Sequence, residues 1–211
     1  MNKKFSQAED FLNQAYSMKD DQSKLEFYKK WADDYDKQML ENLGYTSPQT
    51  LGKALAGYLD DDSALILDIG CGTGLTAQCL VELGFISIDG IDYSQHMIEV
   101  AKQKQIYSKL FFADLNEPLE ISDNYYDALI CTGTFTHAHV GPEPIAELLR
   151  ILKPQGFLAC TVHLELWKSA GFEKTFKTLE SQRRLRNLYF ENDVFFKDGE
   201  RDGWFCVYEK L

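Results

Sequence analysis

Three aspartates, Asp68, Asp92 and Asp114, each lie at or directly after the end of a short apolar segment of the chain. A carboxylate accepts hydrogen bonds from an ammonium group, from ribose hydroxyls or from the amino group of adenine, and it repels phosphate. The carboxyl ends of parallel strands meet at one edge of an open sheet, where ligands bind. If the three segments are such strands, their carboxylates line one crevice.

A glycine-rich loop follows the first of these segments, with the sequence Asp68-Ile69-Gly70-Cys71-Gly72-Thr73-Gly74. Glycines permit positive φ angles and close approach of a ligand, and the N-terminus of the next helix offers free N–H groups. The spacing differs from the dinucleotide fingerprint G-x-G-x-x-G, and Asp68 would repel a pyrophosphate. Loop and carboxylates together suit a ligand with an ammonium, a ribose diol and an adenine but no phosphate. S-adenosylmethionine is such a ligand.

Candidates for proton transfer are His137 and His139, which follow the fourth predicted strand, and His163, which ends the fifth. A neutral imidazole accepts a proton near pH 7, but it can equally cap a loop. Methyl transfer from a sulfonium depends mainly on positioning, and it needs a base only when the nucleophile carries a proton that must leave. No carboxylate or third histidine completes a metal site around the H-x-H pair, so no metal is predicted.

Short apolar runs alternate with amphipathic segments from Ala64 onward, which predicts an α/β fold with a largely parallel sheet and helices on both faces. The predicted strands are 64–69, 85–92, 109–112, 126–131 and 157–162, with two later ones near 188–190 and 204–208. Helices are predicted over 50–59 and 75–83, from a cap at Ser94, from Pro142 to about 152 and after Ala170 to about 186. Apolar residues at three- and four-residue steps predict helices before residue 60.

Length and composition predict one domain over residues 1–211, with an N-terminal helical cap (1–60), a cofactor-binding core (64–163) and a C-terminal part (164–211). The net charge of −11 disfavours a nucleic-acid partner. No membrane span or signal peptide is evident, which predicts a cytoplasmic protein. The five cysteines are widely spaced without a C-x-x-C, and Cys131 and Cys160 are predicted to be buried thiols.

These motifs resemble those of the class I S-adenosylmethionine-dependent methyltransferases. Residues 68–74 resemble motif I, Gly90-Ile91-Asp92-Tyr93-Ser94 and Ala113-Asp114-Leu115 resemble the next two motifs, and Leu152-Lys153-Pro154-Gln155-Gly156 resembles the turn before strand five. The pattern Tyr28-x-x-Trp31-Ala32-x-x-Tyr35-Asp36 extends the resemblance to the methyltransferase-like proteins of the Williams–Beuren syndrome region. The resemblance implies a Rossmann-like sheet of seven strands, the last antiparallel, under an N-terminal helical cover.

The resemblance also implies roles for individual residues. Asp68, Gly70 and Gly72 would hold the methionine end of the cofactor, and Asp92 its ribose. The other implied contacts are Cys71 in the loop, Tyr93, Met97, Asp114 and Leu115 around adenine, Thr132 and Gly133 after strand four, and Tyr28, Trp31 and Tyr35 in the cover. The spacing of the three cover aromatics equally fits the core stripe of an amphipathic helix.

Several functions remain open at this point. A methyltransferase with a small-molecule acceptor is favoured, because the chain shows no appended recognition domain. A protein or peptide methyltransferase and a non-catalytic cofactor-binding protein are alternatives. An NAD-dependent oxidoreductase is disfavoured by the glycine spacing and by Asp68.

Overall fold

The computed structural model describes residues 14, 21–135, 140–197, 199 and 203–211. Its strands are β1 (Ile66–Ile69), β2 (Ile88–Asp92), β3 (Lys109–Phe112), β4 (Tyr126–Phe135), β5 (Leu152–His163), β6 (Leu185–Asp193) and β7 (Gly203–Lys210). Its α-helices are α1 (Asp21–Lys37), α2 (Ser47–Ala56), α3 (Leu75–Glu82), α4 (Gln95–Gln103), α5 (Ile145–Ile151), α6 (Leu164–Ser169) and α7 (Phe172–Ser181), and a π-helix (Gln38–Asn42) follows α1.

The strands form one sheet in the order β3-β2-β1-β4-β5-β7-β6. Strands β1 to β5 pair in parallel, whereas β7 runs antiparallel to both β5 and β6. This confirms the predicted Rossmann-like sheet with an antiparallel last strand. The strand order reverses between β1 and β4, and a ligand crevice is expected there, outside the carboxyl ends of the strands.

Two hydrophobic clusters cover the two faces of the sheet. Side chains alternate between the faces, so Ile66 belongs to one cluster and Leu67 and Ile69 to the other. All four residues of β1 are buried, as expected for a strand covered on both sides. Residues of α1, α2 and α3 pack on the face of Ile66, and residues of α5, α6 and α7 pack on the opposite face.

The predicted turn at 153–156 is part of β5, where it forms an irregularity in the pairing with β4. Tyr126 pairs with Leu152 and Ala128 with Phe157, so four residues of β5 lie opposite Asp127 alone. Gln155 takes a φ of +64°, a left-handed conformation that glycine adopts more readily.

Asp127 ties the beginnings of three strands together. Its Oδ2 accepts a hydrogen bond from the Leu65 backbone N–H at 2.9 Å, and its Oδ1 pairs with Lys153 Nζ at 2.7 Å. Both contacts lie at the edge of the sheet opposite the expected crevice, so Asp127 is structural.

Three predicted helices have clearly different bounds in the structure. Helix α2 spans Ser47–Ala56 rather than 50–59. Helix α5 begins at Ile145, with Pro144 rather than Pro142 at its N-terminus. Helix α7 ends at Ser181, because Arg183 takes a φ of +55° and so turns the chain toward β6. Within the described ranges, no helix has both the length and the apolar character needed to cross a membrane. The five cysteines are all buried, which confirms the prediction for Cys131 and Cys160.

Candidate functional site

A cavity of about 190 Å³ opens at the carboxyl ends of β1, β2 and β4, at the reversal of strand order. The glycine loop, the end of β2, the segment after β3 and the end of β4 surround it, and α1 contributes one side chain. The lining residues are Tyr35, Gly70, Gly72, Ile91, Asp92, Tyr93, Ser94, Met97, Ala113, Asp114, Leu115, Asn116, Thr132, Gly133, Thr134 and Val140. Among these described residues there is no lysine or arginine, so the charged side chains of the lining are two carboxylates.

The glycine loop has the conformation for which its glycines are needed. Gly70, Gly72 and Gly74 have φ angles of +64°, +54° and +95°. A Cβ added to Gly70 would lie 2.1 Å from Thr134 Oγ1, whereas a Cβ on Gly72 would meet no protein atom within 4 Å. The Gly72 Cα therefore faces open space that a ligand can occupy at close range.

Asp92 ends β2 and fixes the loop from one side. Its Oδ2 accepts a hydrogen bond from the Gly72 N–H at 2.8 Å, and its Oδ1 accepts one from the Ser94 N–H at 2.7 Å. Burial raises the pKa of the Asp92 carboxyl, while these backbone hydrogen bonds oppose the rise. Ser94 in turn caps α4 by accepting a hydrogen bond from the Met97 N–H at 3.4 Å, as predicted. Asp92 is thus a preorganised acceptor beside the cavity.

The segment after β3 supplies a second carboxylate. Asp114 Oδ1 accepts hydrogen bonds from the backbone N–H and the side-chain amide of Asn116, both at 2.8 Å. On the same side of the cavity, the ring of Tyr93 stacks on Phe112 with centroids 5.7 Å apart. The Tyr93 and Phe112 side chains are 40% and 56% exposed, which is high for large aromatic residues. Carboxylate and aromatic ring together suit a planar base with an amino group.

Asp68 is not among the residues that line the cavity, unlike Asp92 and Asp114. Its side chain is 1% exposed, and Tyr107 Oη donates a hydrogen bond to its Oδ2 at 2.7 Å. The Tyr107 ring lies against Gly74 and Gly90, beneath the glycine loop. Asp68 Oδ1 is buried without a hydrogen-bond partner. Of the three carboxylates expected at the cavity, Asp92 and Asp114 therefore line it directly, and Asp68 lies behind the glycine loop.

Burial raises the pKa of Asp68 to about 7, against a smaller lowering by the Tyr107 hydrogen bond. Between pH 4 and pH 7 the unfolded chain then loses this proton while the folded chain keeps it, so stability falls as pH rises. We expect Asp68→Asn to remove this loss and to gain on the order of 1–4 kcal/mol over the wild type between pH 4.5 and pH 8. Urea unfolding of both proteins at several pH values measures the difference. A difference that does not change with pH would contradict the assignment.

Cys71, predicted as a cofactor contact, is buried beside Asp68 and is also absent from the cavity lining. Burial, reinforced by the charges of Asp92 and Asp68, raises the pKa of its thiol well above the usual value. The thiol is therefore a neutral packing group at neutral pH, which fits an interior position.

The three aromatics of the N-terminal cover lie in different environments. Tyr35 lines the cavity. Trp31 is 2% exposed and packs in the cluster on the Ile66 face, with its ring centroid 4.7 Å from that of Tyr35. The side chain of Tyr28 lies outside the described part of the structure. The burial of Trp31 therefore fits the core stripe of an amphipathic helix, whereas the position of Tyr35 at the cavity fits the predicted cover.

Thr132 and Gly133 both line the cavity at the end of β4. The hydroxyls of Thr132 and Thr76 are 2.5 Å apart and link β4 to helix α3. The Gly133 N–H donates to Thr161 Oγ1 at 3.1 Å, which links β4 to β5. Strand β4 extends to Phe135, which pairs with Val162, and thus beyond its predicted end at 131.

The candidate bases His137 and His139 lie outside the described residues. His163 ends β5, and its Nδ1 accepts a hydrogen bond from the Glu165 N–H at 3.3 Å, so it caps helix α6. Trp167, which follows in α6, is buried in the hydrophobic cluster. In the ranges that the structure describes, no group of three or more potential ligand side chains is arranged for a metal ion.

Two residues of the site have no assigned role in the sequence analysis. Tyr107 holds Asp68 beneath the loop, and Asp36 accepts a hydrogen bond from the Thr73 hydroxyl within the loop. Asp36 directly follows the cavity-lining Tyr35, so the Tyr-Asp pair in the sequence could have indicated that Asp36 lies near the site. Tyr107 lies in the segment between α4 and β3, where the sequence has no motif.

Comparison with known proteins agrees with this geometry. Residues 67–160 match a family model described as a methyltransferase domain. Human methyltransferase-like protein 27 is 38% identical over 152 residues, which are 70% of this chain and 60% of the human protein. A malonyl-[acyl-carrier protein] O-methyltransferase from Halalkalibacterium halodurans is 35% identical over 105 residues, 46% of this chain and 38% of that enzyme. The chain thus spans less than two thirds of either relative.

The fold is also found among solved structures. A protein from Methanococcus maripaludis, described as an S-adenosyl-L-methionine-dependent methyltransferase, superimposes with a TM-score of 0.62 at 19% identity. The match covers 87% of this chain and 93% of the other. At that identity the similarity is one of fold.

Proposed function

We propose that the chain is a class I S-adenosylmethionine-dependent methyltransferase and that it transfers the cofactor's methyl group to a small-molecule acceptor. The observation that carries the proposal is the cavity, which joins the glycine loop to Asp92 and Asp114 and has no lysine or arginine among its described lining residues. Such a lining favours a ligand with hydroxyl, amino and ammonium groups over one with phosphates.

The residues present fit this cofactor. The open space over Gly72 admits its methionine end, and the orphaned Oδ1 of Asp68 lies buried near the same loop. Asp92 would accept hydrogen bonds from the ribose hydroxyls, Tyr93, Met97 and Leu115 would pack around adenine, and Asp114 would accept from its amino group. When bound, S-adenosylmethionine would supply an activated methyl group, whose carbon the acceptor nucleophile attacks in line while S-adenosylhomocysteine leaves as the thioether.

This chain's own contribution is then largely positioning. The loop and the end of β4 hold the reactive end of the cofactor site, and Tyr35 from α1 closes one side of it. Fixing two reactants at attack distance supplies a large part of the rate of such a transfer. His137 and His139 remain proposed as bases for an acceptor whose nucleophile must lose a proton.

The oxidoreductase alternative is further disfavoured by the sheet. The common dinucleotide-binding order has six parallel strands, 3-2-1-4-5-6, whereas here an antiparallel β7 lies between β5 and β6. The described lining also offers no cation for a pyrophosphate.

The acceptor class is proposed from the relatives. The Halalkalibacterium relative is named for an O-methylation of a malonyl group on acyl-carrier protein, so a carboxylate acceptor is the first class to test. A peptide or protein acceptor is the alternative outcome. The cytoplasmic location likewise remains a proposal from the sequence.

The proposal predicts transfer of label from S-adenosyl-[methyl-³H]methionine into the small-molecule fraction of a whole-cell extract incubated with the protein. Filtration after the reaction separates labelled metabolites from labelled protein, which distinguishes the two acceptor classes. Asp127→Ala, altered far from the cavity, serves as a positive control, and heat-denatured protein as a blank. If the protein binds S-adenosylhomocysteine but labels neither fraction, it is a non-catalytic cofactor-binding protein.

A further inference from the structure

We propose that Asp36 is a positioning residue, which holds the glycine loop and the adjoining Tyr35 in the arrangement that accepts the methionine end of the cofactor. The inference rests on the proposed function. It concerns a residue on helix α1 that does not line the cavity, so its effect on the ligand must pass through the loop.

Asp36 makes two side-chain contacts beside the cavity. Its Oδ1 accepts a hydrogen bond from the hydroxyl of Thr73, in the middle of the glycine loop. Its Oδ2 lies 2.5 Å from Lys104 Nζ, at the end of helix α4, and Lys104 also donates to Gln78 Oε1 on α3 at 2.8 Å. The Asp36 carboxylate thus joins α1 directly to the glycine loop and to the end of α4. Through Lys104 it is also linked to α3.

The burial of the two partners of Asp36 distinguishes the contact from an ordinary surface ion pair, which contributes little. Thr73 is 1% exposed and the Lys104 side chain is 15% exposed, while the Asp36 side chain is 33% exposed. Loss of the Asp36 carboxylate would leave a buried hydroxyl without an acceptor, a cost that a small shift of the loop would relieve. The loop would then move away from the position in which Gly72 faces the cavity.

The loop is held between two carboxylates from different parts of the chain. Asp92 on β2 accepts from the Gly72 N–H, and Asp36 on α1 accepts from the next residue, Thr73. Asp92 also faces the ribose site directly, whereas Asp36 reaches the ligand only through the loop and through Tyr35. Substitutions of Asp92 and of Asp36 should therefore affect the binding of different ligands to different degrees.

Calorimetric titration with two ligands separates this role from a general loss of structure. S-adenosylhomocysteine contains the amino-acid end that the loop holds, and 5′-methylthioadenosine lacks it. We expect Asp36→Ala to weaken binding of S-adenosylhomocysteine about tenfold. Binding of 5′-methylthioadenosine should change less than about twofold, because Asp92 and Asp114 are intact. Asp34→Ala, an exposed change on the same helix, should alter neither affinity.

A second variant keeps the test decisive if Asp36→Ala does not fold. Thr73→Val removes the hydroxyl at nearly constant volume and should cause a similar selective loss. The double variant should bind little worse than either single one, since both remove the same contact. Asp36→Asn keeps an oxygen acceptor for Thr73 and should recover most of the affinity.

Equal weakening of both ligands would overturn the inference, and so would unchanged binding of S-adenosylhomocysteine by both Asp36→Ala and Thr73→Val. A wild-type protein that binds neither ligand would instead overturn the proposed function.

Discussion

Asp92→Ala is expected to weaken binding of S-adenosylhomocysteine by roughly 1–3 kcal/mol, because hydrogen bonds to a charged acceptor are lost. The loss has two sources. The ribose hydroxyls lose their acceptor, and the backbone N–H groups of Gly72 and Ser94 lose theirs. The second effect loosens the glycine loop as well, so both halves of the ligand should bind more weakly, in contrast to Asp36→Ala.

Isothermal titration calorimetry of the folded variant measures this loss, with circular dichroism as the check of folding. Asp127→Ala is a matched control, because Asp127 also accepts a backbone hydrogen bond but lies at the opposite edge of the sheet. Asp92→Asn should recover only part of the affinity, since its amide nitrogen would face a backbone N–H. Wild-type affinity in a folded Asp92→Ala protein would refute the ribose assignment.

Gly72→Ala is expected to reduce affinity for S-adenosylhomocysteine at least about tenfold, since its methyl group enters space that the ligand needs. A Cβ at this position touches no protein atom within 4 Å, and the residue lines the cavity. The φ of +54° adds a backbone cost of roughly 1 kcal/mol to folding. The substitution therefore should act mainly on binding and modestly on stability.

Gly171→Ala is the matched control for this prediction. Gly171 also has a positive φ, +92°, and a Cβ there would likewise meet nothing within 4 Å, but it lies before α7 and away from the cavity. Both variants should lose stability in urea unfolding, and only Gly72→Ala should lose affinity. Equal affinities of the two variants would show that the open space at Gly72 is not ligand space.

The local pattern of the chain was sufficient to predict the sheet and part of the site. Apolar runs of strand length, separated by amphipathic segments, specify a parallel sheet because each such strand must be buried on both faces. The strand-end positions of Asp92 and Asp114 follow from the same pattern, since parallel strands present their carboxyl ends at one edge. The Ser94 cap is equally local, because a cap contacts only the first turn of its own helix.

Side-chain partners distant in the sequence were decided by the tertiary structure. Asp68 has the residue type and spacing of a ligand contact, yet the hydroxyl of Tyr107, 39 residues away, holds it beneath the loop. Asp36 reaches Thr73 across 37 residues. Trp31 and Tyr35 share one helical stripe, but the first is buried in the core and the second lines the cavity. Periodicity determines which face of an element is buried, whereas the neighbour that each side chain meets depends on how the packed elements come together.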